Sequence, residues 1–351
     1  MYSGAVTRLR IGVFGAGSIG CYVGGKLLAA DTADVVLVGR PRLRDRLAAD
    51  GLAVQDFDGP RAVVPTARLQ VATAAGALAE CQVVLVCVKS QHTEDAAREL
   101  AEVLRPDAVV VSLQNGVRNP DTLRKHLLGG GGGGGASRRS VLAAIVTWNV
   151  IAVDGTYRRA TSGPLIIERA PPALVRALRD AGIAVVERDD LGPEQWTKLL
   201  VNLNNAISAL SDVSTATLLL DPGYRRVIAA VVEEGLRVVR AAGVRPARWN
   251  GAPLGLMPKV LRLPTALVRL ITRAQLKVDP AARSSMWQDL DARRPTEIDY
   301  LNGEIVRLAA AHGQAAPLNA RVVELIRAAE AAGAGSPKLG PDELWRKLTA
   351  G

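Results

Sequence analysis

The sequence predicts an α/β protein, in which an N-terminal, doubly wound parallel sheet is followed by a C-terminal all-α domain. Up to about residue 189, short runs rich in β-branched residues alternate with alanine-rich helical stretches. The runs at residues 83–88 and 108–113 are almost continuously apolar, as expected of parallel strands buried on both faces. From about residue 192 onward the strand-like runs stop and helical patterns follow, which indicates a second, mainly helical domain.

The first apolar run, residues 10–14, ends in the motif Gly15-Ala16-Gly17-Ser18-Ile19-Gly20, and a helical stretch follows directly. In Rossmann-type units the first glycine makes a tight turn, the second lets the backbone approach a pyrophosphate, and the third lets the helix pack on the strand. The helix N-terminus also offers unpaired N–H groups and a partial positive charge. Because the motif stands between a strand and a helix, we predict that residues 15–20 bind a dinucleotide.

The next predicted strand ends in Arg40, with Arg42, Arg44 and Arg46 close behind it. The end of this strand meets the adenosine ribose, where an acidic side chain would accept from the 2′-hydroxyl of NAD. A guanidinium group suits a 2′-phosphate instead. We therefore predict NADP as the cofactor, with Arg40 on its 2′-phosphate. The alternative is a solvated basic start of a helix.

Composition limits the class of protein. The chain has 351 residues, of which 48% are hydrophobic and 22% charged, as expected of a soluble, two-domain globular protein. Its three cysteines form no C-x-x-C pair and it has three histidines, which favours a cytoplasmic location without disulfides or a metal site. The formal net charge is +10, but aromatic residues are not interleaved with the basic ones, so nucleic-acid binding is not expected.

Three segments are predicted along the chain: an NADP-binding domain over residues 1–190, a helical domain over 191–333, and a loosely attached tail with a short helix over 334–351. Seven consecutive glycines at residues 129–135 predict a flexible loop. The longest nearly uncharged run, residues 199–220, contains asparagines, hydroxyl side chains and an aspartate, so no membrane span is expected. The predicted helices of the second domain cover residues 193–210, 224–242, 258–277, 284–293, 296–312 and 319–332.

Polar residues follow two of the predicted parallel strands. Lys89 comes directly after the strand at residues 83–88, and Asn115 precedes Gly116 after the strand at residues 108–113. Ligands of open parallel sheets bind beyond the carboxyl ends of the strands, so Lys89 and Asn115 are candidate site residues. The alternatives are an ordinary cap and an ordinary Asn-Gly turn.

The first predicted helix of the second domain carries a polar stripe. At about 100° per residue, Lys198, Asn202 and Asn205 share one face, and apolar residues flank them. Such a stripe predicts a buried polar pocket, in which the cost of charging lowers the pKa of a lysine towards that of a useful general acid. The alternative is a lysine whose stem packs on the surface while its ammonium stays in water.

Two further helix starts carry polar residues. Thr296 is the predicted N-cap of one helix, with Glu297 as its first residue and Asp299 as the acidic partner of a capping box. From this segment alone, Glu297 is more simply explained as a carboxylate that the helix dipole stabilises. Ser284 and Ser285 start another helix, and capping is the simplest role for both.

Taken together, these segments resemble the ketopantoate reductase (2-dehydropantoate 2-reductase) family. The matching segments are G-A-G-S-I-G at residues 15–20, V-K-S-Q at 88–91, L-Q-N-G at 113–116, W-T-K-L-L-V-N at 196–202, S-S-M-W-Q-D at 284–289 and T-E-I-D-Y-L-N-G at 296–303. They follow the order of the family and span most of the chain. The resemblance implies NADPH-dependent reduction of a 2-oxo acid, 2-dehydropantoate to (R)-pantoate in pantothenate biosynthesis, in a cleft between a Rossmann-type domain and a helical domain.

The resemblance also implies roles for single residues. Lys198 corresponds to the general acid and Glu297 to the catalytic carboxylate. The substrate-binding residues would be Asn115, Asn202 and Ser285. The cofactor-binding residues would be Gly15, Ala16, Gly17, Ser18, Ile19, Gly20, Arg40, Lys89 and Asn115.

Two positions depart from the family pattern, because Ala206 and Ala282 stand where asparagine is often found, and the basic segment 245–283 is longer than in minimal members. Two other functions therefore stay open. One is a D-2-hydroxy acid dehydrogenase acting on another branched or larger 2-oxo acid, and the other is a non-catalytic NADP-binding module. The expected partners are the small 2-oxo acid and a second copy of the chain, which would form a homodimer through the helical domain, whereas no membrane partner is expected.

Overall fold

The computed structural model describes residues 8–57, 59–129, 138–249, 251–272 and 283–350. The chain divides into two compact units, Met1–Leu191 and Gly192–Gly351. The predicted flexible loop at residues 129–135 falls, except for Gly129, outside the described residues, and so does Ala282.

The first unit alternates strands and helices. Its strands are β1 Arg10–Phe14, β2 Asp34–Val38, β3 Leu52–Gln55, β4 Arg61–Val64, β5 Gln70–Ala72, β6 Val83–Val86, β7 Val109–Ser112, β8 Ser140–Val146, β9 Val150–Val153, β10 Thr156–Arg159, β11 Leu165–Glu168 and β12 Val185–Arg188. Its helices are α1 Ser18–Ala29, α2 Pro41–Asp50, α3 Thr93–Val103, α4 Asn119–Leu128 and α5 Pro172–Asp180. Short 3₁₀ turns occur at Thr66–Arg68, Ala75–Leu78 and Ser90–His92.

The main sheet has eight strands in the order β12-β11-β8-β7-β6-β1-β2-β5. The strands from β8 to β5 are parallel, and their apolar central members are covered on both faces. This arrangement confirms the predicted doubly wound sheet. The sheet is not wholly parallel, however, because β11 pairs with β8 in antiparallel fashion.

A second sheet of four strands, β4-β3-β10-β9, lies against the other side of α1. The approach is close, since a Cβ atom on Gly25 would lie 2.4 Å from Val54 Cγ1. The Lys26 ammonium donates to the Asp56 carboxylate at 2.5 Å and ties α1 to the segment after β3. The strand pattern did not predict this sheet, because its strands are four residues long and two of them, β4 and β10, carry arginines.

The second unit is helical, as predicted. Its helices are α6 Gly192–Asn202, α7 Asn204–Ser211, α8 Thr215–Leu220, α9 Pro222–Ala241, α10 Met257–Leu261, α11 Thr265–Ile271, α12 Ser285–Asp291, α13 Asn302–Ala311, α14 Pro317–Ala332 and α15 Pro341–Thr349. A two-residue hairpin, β13 Arg248–Trp249 with β14 Ala252–Pro253, lies between α9 and α10. The long helix α9 lies at the centre and packs on α8, α10, α13, α14 and α15. The described part of the chain holds no helix that is both long and apolar enough to cross a bilayer.

The residues after Gly333 are not a loosely attached end, so that prediction is wrong. Leu344 and Leu348 of α15 are 0% and 5% exposed, and the helix packs on α9 and α14. The Tyr224 hydroxyl donates to the Leu339 carbonyl at 3.1 Å. The two leucines stand four residues apart and therefore share one helix face, which gives the segment enough apolar surface to bury.

Candidate active site

The turn after β1 is shaped by Gly15, whose φ of +92° lies in the left-handed region. The amides of Gly15 and Ala16 both donate to the Val38 carbonyl at the end of β2, at 3.0 and 2.9 Å. A Cβ atom at residue 15 would lie 2.6 Å from the Val88 nitrogen, just beyond the end of β6. A side chain here would therefore clash as well as strain the backbone.

The other two glycines of the motif have different surroundings. A Cβ atom on Gly17 would meet nothing closer than the Gly15 carbonyl oxygen at 4.0 Å, so this backbone is open to a ligand. A Cβ atom on Gly20 would lie 2.7 Å from Val13 Cγ1, so a side chain there would push α1 away from β1. Gly17 is the N-cap of α1, and the amides that follow it at the helix start have no intrahelical acceptor. Open backbone and free helix amides together fit a pyrophosphate.

Arg40 lies near this turn because β1 and β2 are adjacent and parallel. It is exposed and is the N-cap residue of α2. A Cβ atom on the preceding Gly39 would lie 3.3 Å from Ala16 Cβ, so the segment leading into Arg40 touches the glycine motif. Among the described residues, the Arg40 guanidinium has no carboxylate partner, and it can therefore receive an anion.

Two of the three neighbouring arginines are engaged elsewhere. Arg44 pairs with Asp45 at 2.9 Å. Arg46 donates to the Tyr157 hydroxyl, and its guanidinium carbon lies 5.2 Å from the centre of the Tyr157 ring. Arg40 is therefore better placed for a 2′-phosphate than Arg44 or Arg46.

A buried polar network joins the loops that carry Lys89 and Asn115. The Ser90 hydroxyl donates to the Asn115 carbonyl at 3.1 Å. The Asn119 side-chain amide donates to Ser90 Oγ at 3.1 Å and also to the Asn115 carbonyl. Ser90 and Asn119 are each 2% exposed. Two of these bonds hold the backbone carbonyl of Asn115.

The network continues into the sheet through Gln114. Its side-chain amide donates to the Val88 carbonyl at 3.0 Å and to Thr93 Oγ1 at 2.7 Å, and its oxygen accepts from the Ser112 hydroxyl at 3.0 Å. The Thr93 hydroxyl lies 2.8 Å from Asn119 Oδ1. Sequence reasoning missed these residues as a group, although uncharged polar side chains directly after buried strands were a usable signal.

Lys89 and Asn115 are thus brought to the same edge of the sheet, because β6 and β7 are adjacent and parallel. Both side chains are half-buried, and the Lys89 ammonium nitrogen is shielded from solvent. Gly116 has a φ of +87°, in the left-handed region that favours glycine. The turn after Asn115 therefore needs glycine at this position.

Lys198 lies in α6 and is half-buried. Burial of its amine lowers the pKa of Lys198 to about 8, while the negative charge of Glu297 acts in the opposite direction. The flanking Leu199 and Leu200 are fully buried. A lysine with this pKa is mostly protonated at neutral pH and gives up its proton readily, which suits a general acid.

The polar stripe of the predicted helix 193–210 is interrupted. Helix α6 ends at Asn202 and α7 begins at Asn204, so Asn205 belongs to a different helix from Lys198. The Asn205 carbonyl accepts from the Ser284 hydroxyl at 3.0 Å. Three asparagines within four residues weaken the helix here, because their side chains compete with the backbone for hydrogen bonds.

The segment around Glu297 differs from its prediction. Helix α13 begins only at Asn302, and Glu297 precedes a 3₁₀ turn at Ile298–Tyr300. Thr296 Oγ1 accepts from the Ile298 amide at 3.2 Å, so Thr296 does cap the turn.

The predicted capping box is wrong, because both of its other bonds go to α14. The Thr296 amide donates to Glu330 Oε1 at 2.7 Å. Asp299 accepts from Arg327 at 2.7 Å. A local sequence pattern could not predict these partners, because they lie on α14. Their bonds to Thr296 and Asp299 anchor the tight turn that contains Glu297.

The two serines at the start of α12 have different roles. Ser284 is the N-cap, since its hydroxyl accepts from the Trp287 amide at 3.1 Å. Ser285 is exposed and is the first residue of the helix. Capping therefore accounts for Ser284 alone. Within the described ranges, no group of three or more His, Cys, Asp or Glu side chains is placed to hold a metal ion.

Family models match most of the chain. The model described as ketopantoate reductase PanE/ApbA matches residues 11–172, and its C-terminal counterpart matches residues 190–330. The chain belongs to the ketopantoate reductase family. This confirms the resemblance that the sequence motifs carried.

Relatives of this ketopantoate reductase family member cover nearly its whole length. A 2-dehydropantoate 2-reductase from Halobacterium salinarum is 31% identical, over 92% of this chain and 99% of the relative. One from Pyrococcus horikoshii is 28% identical, over 93% of this chain and 100% of the relative.

Solved structures agree on the fold. The crystal structure of a PanE/ApbA family ketopantoate reductase from Ralstonia eutropha has a TM-score of 0.76 and 31% identity, and the match covers 93% of this chain and 99% of that one. A D-mandelate dehydrogenase, solved with NADH and anilino(oxo)acetate, has a TM-score of 0.75 at 19% identity, with 93% and 99% of the two chains covered. The second likeness shows a shared fold alone.

The polar network generates a prediction about stability. Replacing Asn119→Asp removes the donor to Ser90 Oγ and to the Asn115 carbonyl. It also puts a carboxylate oxygen, which cannot donate, opposite that carbonyl, and this should lower the free energy of unfolding by about 1–3 kcal/mol. Urea denaturation followed by circular dichroism measures the change. The control is Asp121→Asn on the exposed side of the same helix, which should change stability by less than about 0.5 kcal/mol. Superimposable curves for N119D and the parent protein would contradict the proposed importance of the network.

Proposed function

We propose that this protein catalyses the NADPH-dependent reduction of 2-dehydropantoate to (R)-pantoate, a step of pantothenate biosynthesis. The observation that carries the proposal is Lys198, whose pKa is lowered to about 8 by burial while the charge of Glu297 opposes the shift. The 2-dehydropantoate 2-reductases from Halobacterium salinarum and Pyrococcus horikoshii, which this chain matches over nearly their whole lengths, support the same substrate.

For the cofactor, we propose NADP rather than NAD. The residues that would hold it lie in the first unit, so this unit acts as the nucleotide-binding domain: Gly15, Ala16, Gly17, Ser18, Ile19, Gly20, Arg40, Lys89 and Asn115. The open backbone at Gly17 and the exposed guanidinium of Arg40 support a pyrophosphate and a 2′-phosphate, respectively. When bound, the reduced nicotinamide supplies the hydride.

In the proposed reaction, Lys198 delivers a proton to the carbonyl oxygen as negative charge develops there. Proton transfer by a positioned acid contributes typically about 10²–10⁴-fold to a rate. The carboxylate of Glu297 keeps a larger share of Lys198 protonated, because its charge raises the pKa of Lys198 against the effect of burial. The second unit would therefore supply the catalytic groups.

The proposed substrate contacts are Asn115, Asn202 and Ser285. Side-chain amides of Asn115 and Asn202 can donate to the carbonyl or to the hydroxyl of the substrate. Ser285 is exposed and is not consumed by capping, which leaves its hydroxyl available for the carboxylate. The fixed backbone around Asn115 lowers the cost of holding its amide in place.

One observation favours a second candidate, a D-2-hydroxy acid dehydrogenase that acts on another branched or larger 2-oxo acid. Ala206, at a position where the family often has asparagine, is fully buried and offers no hydrogen bond. A substrate that lacks the hydroxyl group of 2-dehydropantoate would not need an asparagine at this position for binding.

We also propose a homodimer formed through the helical unit. Leu267, Leu270 and Ile271 of α11 are 47%, 68% and 53% exposed, and a contiguous apolar surface of this kind marks an interaction site. A ketopantoate reductase from Staphylococcus aureus with the same fold is described as dimeric, at a TM-score of 0.63 and 18% identity.

Consumption of NADPH with a panel of 2-oxo acids tests the function. We expect the highest kcat/KM with 2-dehydropantoate, and lower values with 2-oxoisovalerate and phenylglyoxylate, because only 2-dehydropantoate has a hydroxyl group for the side-chain amides. The order of kcat/KM decides between the two enzymes, and a preference for phenylglyoxylate or 2-oxoisovalerate favours the second candidate. NADPH binding without turnover of any 2-oxo acid would instead indicate a non-catalytic binding module.

The role of Lys198 predicts a pH profile. The acid must be protonated, so kcat/KM should be level below about pH 8 and fall as the pH rises through the pKa of about 8. In Glu297→Gln the charge that raises this pKa is gone, so the fall should move to lower pH. Lys198→Ala should lower kcat by about 10²–10⁴-fold while NADPH binding persists.

The E297Q profile discriminates best, because loss of rate alone could have a structural cause. A fall in kcat/KM at an unchanged or higher pH would contradict the coupling of the two groups. Near-normal turnover in K198A would rule out Lys198 as the acid.

The choice of cofactor predicts a selective effect of Arg40→Gln. Loss of hydrogen bonds to a charged phosphate, worth about 1.5–3 kcal/mol, should raise the KM for NADPH by about 10–100-fold. The KM for NADH should change little, since NADH has no 2′-phosphate. Arg44→Gln is the matched control, because Arg44 pairs with Asp45. Equal effects of R40Q on both cofactors would contradict the assignment.

A further inference from the structure

A cavity of about 540 Å³ lies within the second unit, between the carboxyl end of α9 and the hairpin β13–β14. Its size falls in the range of small-molecule sites. The lining residues are Leu236, Arg240, Gly243, Val244, Arg245, Pro246, Arg248, Pro253, Leu254 and Gly255. None of them belongs to the proposed catalytic or cofactor-binding residues. We call this space the arginine cavity.

All charged residues that line the arginine cavity are positive. Three of its lining residues are arginines and none is acidic. Among the described residues, no carboxylate lies within ion-pair distance of Arg240, Arg245 or Arg248. Other arginines of this unit do have such partners, as Arg262 has Glu233 at 2.5 Å. Three uncompensated guanidinium groups around one cavity favour an anionic ligand.

All three arginines are exposed, and two of their guanidinium groups contact the protein. A Cβ atom on Gly255 would lie 2.3 Å from Arg240 Nη2, so the guanidinium rests directly against this glycine. Arg248 Nη1 donates to the Gly251 carbonyl at 3.1 Å. Both contacts leave further N–H donors for a ligand, since each guanidinium has five. A side chain with such a contact loses less entropy on binding than one without.

The helix dipole does not account for all of this charge. A cation near the carboxyl end of α9 is favourable, and Arg240 in the last turn supplies one. Arg245 and Arg248 stand beyond the helix. The final carbonyls are already used, since Ala242 and Val244 donate to Val238 and Val239 at 3.0 and 3.1 Å.

The remaining wall is apolar. Leu236 and Leu254 are each 4% exposed, and two prolines line the same space. A ligand that fills the cavity can therefore contact apolar side chains as well as the guanidinium groups. A phosphate group suits arginine better than a carboxylate does when several guanidinium groups must be satisfied, because it presents three oxygens.

We propose that the arginine cavity binds a phosphorylated small molecule with an apolar body, at a site separate from that of the reductase reaction. The phosphate oxygens accept from Arg240, Arg245 and Arg248, and the apolar body packs on Leu236 and Leu254. The proposal does not depend on which 2-oxo acid the enzyme reduces.

Isothermal titration of the full-length protein with phenyl phosphate, at constant ionic strength, tests the site. The double variant Arg245→Gln/Arg248→Gln should bind at least about tenfold more weakly than the parent protein, because two charge-assisted contacts are lost. Inorganic phosphate should bind the parent protein more weakly than phenyl phosphate, since it leaves the apolar wall uncovered. Gly255→Ala should weaken binding by displacing Arg240.

The matched control is Arg176→Gln/Arg346→Gln, which removes two exposed arginines far from the arginine cavity in sequence. It should bind phenyl phosphate as the parent protein does. Unchanged affinity in R245Q/R248Q, or an equal loss in the control, would overturn the proposal. Melting temperatures of all variants should match that of the parent protein to within a few degrees, and the R245Q/R248Q variant should retain reductase activity.

Discussion

The site in the first unit depends on the absence of a side chain at residue 15. The backbone there turns with a φ of +92° and lies so close to the chain after β6 that a Cβ atom would be 2.6 Å from the Val88 nitrogen. This contact brings the end of β1 against the end of β6, while the amides of the turn bind the end of β2. The glycine motif, Arg40 and Lys89 consequently lie at one edge of one sheet. Their proximity follows from three adjacent parallel strands and one steric constraint.

In the second unit, the pKa of Lys198 depends on two opposing electrostatic effects. Burial disfavours the charged form of Lys198, and Glu297 favours it, and the balance puts the pKa of Lys198 at about 8. The two groups lie about 100 residues apart in sequence, on α6 and in the turn before α13. Contacts with α14 anchor that turn, since Glu330 and Arg327 bind Thr296 and Asp299 on either side of Glu297. Such second-layer contacts fix the geometry on which a shifted pKa depends.

Local sequence patterns predicted those features that depend on residues close together in the chain. The alternation of β-branched runs and helices predicted the doubly wound sheet, and the glycine spacing predicted the turn, since each depends on a few neighbouring residues. Patterns failed where a distant partner wins. The Thr296 amide and Asp299 bind α14 instead of forming a capping box, and the tail packs on α9 and α14 through Leu344 and Leu348. The break of the predicted helix at Leu203 is different, because the cluster of asparagines that causes it is local. The network of Ser90, Gln114 and Asn119 was missed because none of these residues forms a motif by itself. Their hydrogen bonds join residues that are distant in sequence.

The sequence alone determined the fold class, the family and the place of the glycine turn, and it singled out the candidate acid. Each of these is written in contiguous residues, because glycine spacing, strand runs and family motifs are local properties. Only the tertiary structure decided that Asn115 is fixed by Ser90 and Asn119, that Glu297 acts on Lys198, and that Ser284 rather than Ser285 caps α12. It also gathered three arginines around one cavity. Burial, hydrogen-bond partners and electric fields are properties of the packed chain, and these quantities set how strongly each group binds a ligand or a proton.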